Sequence, residues 1–261
     1  MNEEYLEFAK EIAYEAGKIM LKYFYQDNGS SYKKDKTIVT LADIEINSYL
    51  IKRVKERYTD HSVIGEEASY ANSDYAWVCD PVDGTLMYSM HIPISVFSLA
   101  LVINGIPELG VVYDPFTDSM YSAIKGKGAY KNNDRIYVNK LLLEDRKSVS
   151  HYDAWPKCHY DIHSVINDLE KKTLFVKLGS VTRACMAVAS GDFTMAIFPG
   201  RKGKNCDIAA AKVIVEEAGG KVTNLFGEEQ RYDKSIKGAL ISNGIVHDKV
   251  LSVIKKHIVD E

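Results

Sequence analysis

The sequence predicts an α+β chain, and three features of its patterning carry that reading. Apolar residues recur at helical spacing near the N-terminus and again around position 210, β-rich segments joined by turn residues fill positions 96 to 124, and helical and strand patterns alternate from position 162 onward. With 261 residues, 46% of them apolar, the chain can form one large domain or two closely packed halves around a substantial core.

The opening helix runs from about position 4 to 24, with Tyr5, Phe8, Ile12, Ala16, Ile19, Met20 and Tyr23 on one face, and Asp27-Asn28-Gly29-Ser30-Ser31 stops it. Lys33-Lys34-Asp35-Lys36 reads as a solvated loop. Thr40-Leu41-Ala42-Asp43 leads into a second helix, carried by Ile46, Leu50, Ile51 and Val54 and ending near Tyr58. Val63-Ile64-Gly65 is a short strand, followed by Glu66-Glu67. The apolar run from Trp77 is a strand ending at Asp80, because Pro81 and Gly84 then break it. Strands at 96 to 103 and 109 to 113 are joined through Asn104-Gly105, and a third at 119 to 124 enters Gly126-Lys127-Gly128, giving an antiparallel region. Positions 150 to 160 read as irregular. A helix near 162 to 171, a strand at 174 to 176, a helix at 182 to 190 and a strand at 194 to 198 follow. The loop Pro199-Gly200-Arg201-Lys202-Gly203-Lys204 precedes a helix over 208 to 218, which Gly219-Gly220 terminates. No repeat, low-complexity tract or flexible linker divides the chain.

The formal net charge of −3 comes from interspersed acidic and basic residues, which offers no global attraction to nucleic acid or to an anionic membrane. No apolar run approaches the roughly 20 residues of a membrane span, and Met1-Asn2-Glu3-Glu4 lacks the basic start of a secretory signal, so a cytoplasmic location is expected. Cys79, Cys158, Cys185 and Cys206 show no C-x-x-C spacing, which signals neither a zinc site nor a redox pair.

The stretch Asp80-Pro81-Val82-Asp83-Gly84-Thr85 sets two carboxylates three residues apart at a forced turn. It reads either as an ordinary strand-capping turn or as a holder of hard cations, since Mg²⁺ takes one or two carboxylates plus water and substrate phosphate. Asp43 at a helix start, Glu66-Glu67 after a strand and Asp207 at another helix start complete a set of acids in four separated segments.

Together with Gly110-Val111-Val112-Tyr113 and Gly126-Lys127-Gly128-Ala129-Tyr130, this order of motifs resembles the inositol monophosphatase family of Mg²⁺-dependent, lithium-sensitive phosphatases, whose superfamily includes fructose-1,6-bisphosphatases and 3′-phosphoadenosine 5′-phosphate phosphatases. The resemblance implies a layered αβαβα sandwich and one phosphatase domain over 1–261, with a metal-site α+β half at 1–140 and an α/β half at 141–261 completing the site. It implies hydrolysis of a small phosphomonoester, of the inositol or sugar phosphate class, by a metal-activated water. Two or three Mg²⁺ would be held by Glu66, Asp80, the Val82 carbonyl, Asp83 and Asp207. Thr85 would take the water's proton with Asp43 orienting its hydroxyl, and Glu66 would serve the attacking water. Asp43 as a helix cap and Thr85 as a turn residue are the plain structural readings. Substrate contacts would come from Asp83, Gly84, Thr85, Arg183, Ala184, Arg201 and Asp207. Lithium inhibition and a homodimer are implied as well, with no nucleic acid or membrane partner. Glu67 reads as a supporting acid near the Asp43 loop or as a surface acid.

The chain departs from the family where Leu86-Met87-Tyr88 follows Gly84-Thr85, and at Cys206, a small residue in a place usually taken by Trp that can open room near substrate. Arg201, Lys202 and Lys204 stand where inositol-selective members carry an acid. With Arg183 they either bind a second anionic group, as in fructose 1,6-bisphosphate or 3′-phosphoadenosine 5′-phosphate, or form a solvated loop tip. His151 reads as a pocket or surface residue, and Tyr152 and Trp155 as stacking or packing aromatics. A non-catalytic regulatory protein on the same fold is the alternative from another class.

Overall fold

Helix α1 (Glu3–Phe24) opens the chain and buries Phe8, Ile12, Ala16 and Met20, the residues its periodicity picks out. The computed structural model describes residues 3–26, 28–33, 37–153, 160, 162–200 and 205–258. A paired strap of β1 (Ser31–Tyr32) and β2 (Ile38–Val39) leads to α2 (Leu41–Arg57). Then come β3 (Ser62–Gly65), β4 (Ser69–Tyr70), β5 (Tyr75–Asp83), the short α3 (Thr85–Ser89), β6 (Val96–Ile103), β7 (Ile106–Asp114), β8 (Ser119–Ile124), β9 (Ala129–Lys131) and β10 (Asp134–Arg135). The chain continues through β11 (Val149–Tyr152), α4 (Ile162–Leu169), β12 (Leu174–Val176), α5 (Val181–Ala189), β13 (Met195–Phe198), α6 (Asn205–Glu217), β14 (Lys221–Thr223), β15 (Ala239–Ser242) and α7 (His247–His257).

An eight-stranded sheet has the order β10-β9-β8-β7-β6-β5-β3-β4, and a five-stranded sheet the order β12-β11-β13-β15-β14. Alternation along single strands explains how they stack. On β6, Phe97, Leu99 and Leu101 pack with α1 and α2, while Val96, Ala100 and Val102 pack with α5 and α6. On β13, Ala196 and Phe198 face the same α5–α6 layer from the other side, and Met195 and Ile197 face α4 and α7. The result is the αβαβα sandwich, with strands buried on both faces and so nearly continuous in apolar residues. Helix α6 lies at its centre and every residue from Asn205 to Val215 is buried. Gly110 on β7 permits this, since a Cβ there would lie 2.4 Å from the Ala210 carbonyl oxygen. Among the described residues no helix is long and apolar enough to cross a membrane.

Two expectations about elements are corrected. The segment expected to be irregular contains β11, which pairs in parallel with both β12 and β13; its polar but buried Ser150 and His151 hid the strand. The strand expected to stop at Asp80 continues to Asp83, because a register shift against β6 accommodates Pro81.

Candidate active site

That register shift builds the reactive turn. Asp80 pairs with Ser98 and Asp83 with Val96, so β5 spends three residues where β6 spends two. On a regular strand, residues three apart point to opposite faces; the extra residue realigns them, and both acids line one cleft. The Val82 amide donates to Asp80 Oδ1 at 3.1 Å and tightens the turn. Parallel pairing of β3 with β5 runs one step further through Glu66 N to Cys79 O, at 3.2 Å, which sets Glu66 beside Asp80. Asp207 comes from the first turn of α6, whose start is held by Asn205 Nδ2 on Tyr232 O at 2.9 Å and by Thr182 Oγ1 on Asp207 O at 2.8 Å.

Carboxylate oxygens of Glu66, Asp80 and Asp207 thereby lie within 4.8 Å of one another, and Asp80 and Asp207 are each only 1% exposed. Carboxylates this close repel one another, and a cation held among them would relieve that repulsion. This compact set of hard oxygen donors on the cleft could hold a metal ion.

Asp83, expected as a metal ligand, lines the cleft and also holds a helix start. Its carboxylate accepts hydrogen bonds from Ser180 Oγ, from Val181 N at 3.3 Å and from Thr182 N at 2.8 Å, the N-terminus of α5. These bonds take most of the roughly four lone-pair sites of a carboxylate, which leaves Asp83 at most a shared ligand. Gly84 follows at φ 88°, a left-handed conformation that starts α3, and a Cβ there would meet Gly179 O at 3.1 Å.

The expected Asp43–Thr85 hydrogen bond is not formed. Asp43 accepts from the amide and hydroxyl of Thr40 in a capping box at the start of α2, and Thr85 Oγ1 donates to the Val82 carbonyl at 2.9 Å. Burial pushes the Asp43 carboxyl up to about 7, against the Thr40 hydrogen bonds, with the charges of Glu67 and Glu66 adding to the rise. Glu67 pairs with Lys33 on the strap, and Lys33 Nζ is also 3.7 Å from Glu66.

The cleft has a volume of about 670 Å³ and brings together Glu66, Asp80, Asp83, Gly84, Thr85 and Asp207. Arg183 and Ala184 do not line it. The Arg183 guanidinium pairs with the fully buried carboxylate of Asp114, and Ala184 is packed in the α5–α6 core. Arg201, Lys202, Lys204 and Trp155 lie outside the described residues. Cys206 does not line the cleft, and its thiol turns to the Ile64 carbonyl at 3.6 Å. Leu86 and Met87 line the cleft, while Tyr88 turns inward and donates to Met20 O at 2.5 Å. His151 is neither a pocket nor a surface residue: it is fully buried beside Phe198, and burial pushes its pKa down to about 4. Burial also holds the Cys79 and Cys185 thiols well above their ordinary range, which makes them poor nucleophiles.

Sequence reasoning missed Lys177, which lines the same cleft as the reactive turn and rests its ammonium 4.2 Å from the Tyr152 ring centre. The lone signal was its place two residues before Gly179-Ser180, the loop that meets Asp83.

The Inositol monophosphatase family model matches residues 1–258. A protein of Aquifex aeolicus named fructose-1,6-bisphosphatase/inositol-1-monophosphatase is 34% identical over 269 residues, covering 98% of this chain and 97% of the relative. A Thermotoga maritima protein of the same name is 32% identical over 264 residues, with coverage of 98% and 97%. Among solved structures, the Thermotoga maritima IMPase superposes with a TM-score of 0.86 at 28% identity, covering 97% of each chain. The carboxylate cleft thus sits in a chain matched from end to end, and this protein belongs to the inositol monophosphatase family of phosphoric monoester hydrolases.

Proposed function

We propose that this protein hydrolyses a small phosphomonoester of the inositol or sugar phosphate class with Mg²⁺ held by Glu66, Asp80 and Asp207. The observation that carries the reading is the three-carboxylate cluster within 4.8 Å at the floor of an open cleft. Mg²⁺ bound there would supply Lewis acidity toward water and the phosphate oxygens. Asp83 is assigned a shared ligand role through the carboxylate that also caps α5, and the Val82 carbonyl a ligand role alongside its bond to Thr85.

The chain's own groups do the rest. Thr85 Oγ donates its proton to Val82 O, so its lone pairs are turned to accept a proton from an attacking water. Asp43, held near neutrality by burial, has the pKa of an efficient proton acceptor at pH 7. Gly84 lets the backbone approach a phosphate closely, and its amide and that of Thr85 are assigned as donors to it. Leu86, Met87 and Leu178 give the cleft an apolar lining beside the reactive turn.

A second reading, hydrolysis of a doubly anionic ester, is favoured by the names of the Aquifex and Thermotoga relatives. Lithium inhibition and a homodimeric state belong to the same proposal. The test is phosphate release from inositol 1-phosphate, fructose 1,6-bisphosphate and 3′-phosphoadenosine 5′-phosphate with Mg²⁺. Release that a chelator and Asp83→Asn both abolish is expected; no release from any of the three would refute the reading.

A further inference from the structure

We propose that Lys177 selects substrates that carry a second anionic group. The proposal rests on the phosphatase reading above and names the residue that sets its preference. The acids Glu66, Asp80 and Asp207 and the cation Lys177 line the same cleft, together with the apolar side chains of Met87 and Leu178. Among the described residues lining the cleft, Lys177 is the only cation. Neighbouring cations are committed elsewhere, Lys33 to Glu67 and Glu66, and Arg183 to Asp114. Lys177 forms no ion pair among the described residues, and its ammonium rests over the face of Tyr152.

The position of Lys177 relative to the scissile phosphate is set by the backbone. It follows β12 directly, and three residues later Ser180 donates to Asp83 of the reactive turn. Between them Gly179 lies against Met87 on one side, where a Cβ would sit 2.7 Å from its methyl, and its carbonyl oxygen lies by Gly84 on the other. Three residues span at most about 11 Å, so Lys177 cannot drift further than that from Ser180. The stacking on Tyr152 holds the long side chain in place, so less freedom is lost when an anion binds. Asp153 lines the same wall with the opposite sign, so the wall does not concentrate anions in general, and an ester without a second charge gains nothing from Lys177.

Lys177→Met keeps the length and removes the charge; Lys177→Arg keeps the charge. Both are compared with the wild-type protein in Mg²⁺ on fructose 1,6-bisphosphate and inositol 1-phosphate. Loss of one charge-assisted contact predicts that Lys177→Met raises KM for the bisphosphate about tenfold, leaving kcat and the inositol phosphate constants unchanged, while Lys177→Arg restores the bisphosphate KM. Equal changes on both substrates, or none on the bisphosphate, would overturn the proposal. If wild-type protein releases phosphate from neither ester nor from 3′-phosphoadenosine 5′-phosphate, the phosphatase reading falls, and calorimetric titration with fructose 1,6-bisphosphate then decides Lys177 alone. Binding about tenfold weaker in Lys177→Met supports it, and equal affinity overturns it.

Discussion

Replacing Asp207 with Asn separates what the acid cluster costs the fold from what it does for function. Asp207 faces Glu66 and Asp80 with oxygens within 4.8 Å. At an effective dielectric of about 20, two unit charges at that distance repel by about 3 kcal/mol, so two neighbours impose up to about 7 kcal/mol. Water and the Lys33 ammonium at the exposed Glu66 reduce this, and a gain of about 2 kcal/mol is expected for Asp207→Asn in chelator. With Mg²⁺ the order inverts. Binding at a hundred times Kd stabilises wild-type protein by about 2.7 kcal/mol, whereas the variant, with one ligand weakened, gains little. Urea unfolding of both proteins with EDTA and with Mg²⁺ reads the crossing, and phosphate release reads the loss of turnover. A variant no more stable than wild type in EDTA, or equally stabilised by Mg²⁺, would refute the reasoning that these acids form one cation site.

Arg183→Met leaves the fully buried Asp114 carboxylate without its cation and is expected to cost roughly 3 kcal/mol in urea unfolding, with no change in preference between mono- and bisphosphate. Ser180→Ala removes both the donor to Asp83 and the cap on Arg183 N; the expected outcome is about 1 kcal/mol of lost stability and a roughly tenfold lower kcat, with Ser180→Thr restoring both. Asp43 has a folded pKa of about 7 against an ordinary 3.8, so the native state keeps a proton that the unfolded chain releases between those values. Its contribution is therefore full below about pH 4 and is lost as pH rises toward 7. Asp43→Asn should unfold at higher urea than wild type at pH 8, by roughly 2 to 4 kcal/mol, and the difference should vanish near pH 4.

The acids were legible because local chemistry marks them. Pro81 and Gly84 announce a turn beside Asp80 and Asp83, and Asp207 sits at the head of a helix closed by Gly219-Gly220. The opening helix, the β6–β7–β8 meander and α5 follow from periodicity for the same reason. Strand β11 was missed because Ser150 and His151 are polar and yet wholly buried, a state that depends on the strands either side. The bulge that turns Asp80 and Asp83 to one face was also invisible, since it exists only against the register of β6.

Arg183 and Lys177 exchanged expectations for one physical reason. Six positions apart in the chain, both are cations near a predicted helix start, and nothing local tells them apart. Folding brings Asp114 to Arg183 across 69 positions and carries the Lys177 wall to the acid cleft by the bond between Ser180 and Asp83 across 97. The sequence alone determined which carboxylates exist, their order and the α+β pattern that presents them, because turns, caps and periodicity are local properties of a chain. Only the tertiary structure decided which acids meet, that Asp83 is divided between cleft and helix, and which cation lines the cleft, because those depend on pairings between residues far apart in sequence, where charge and burial are settled by packing.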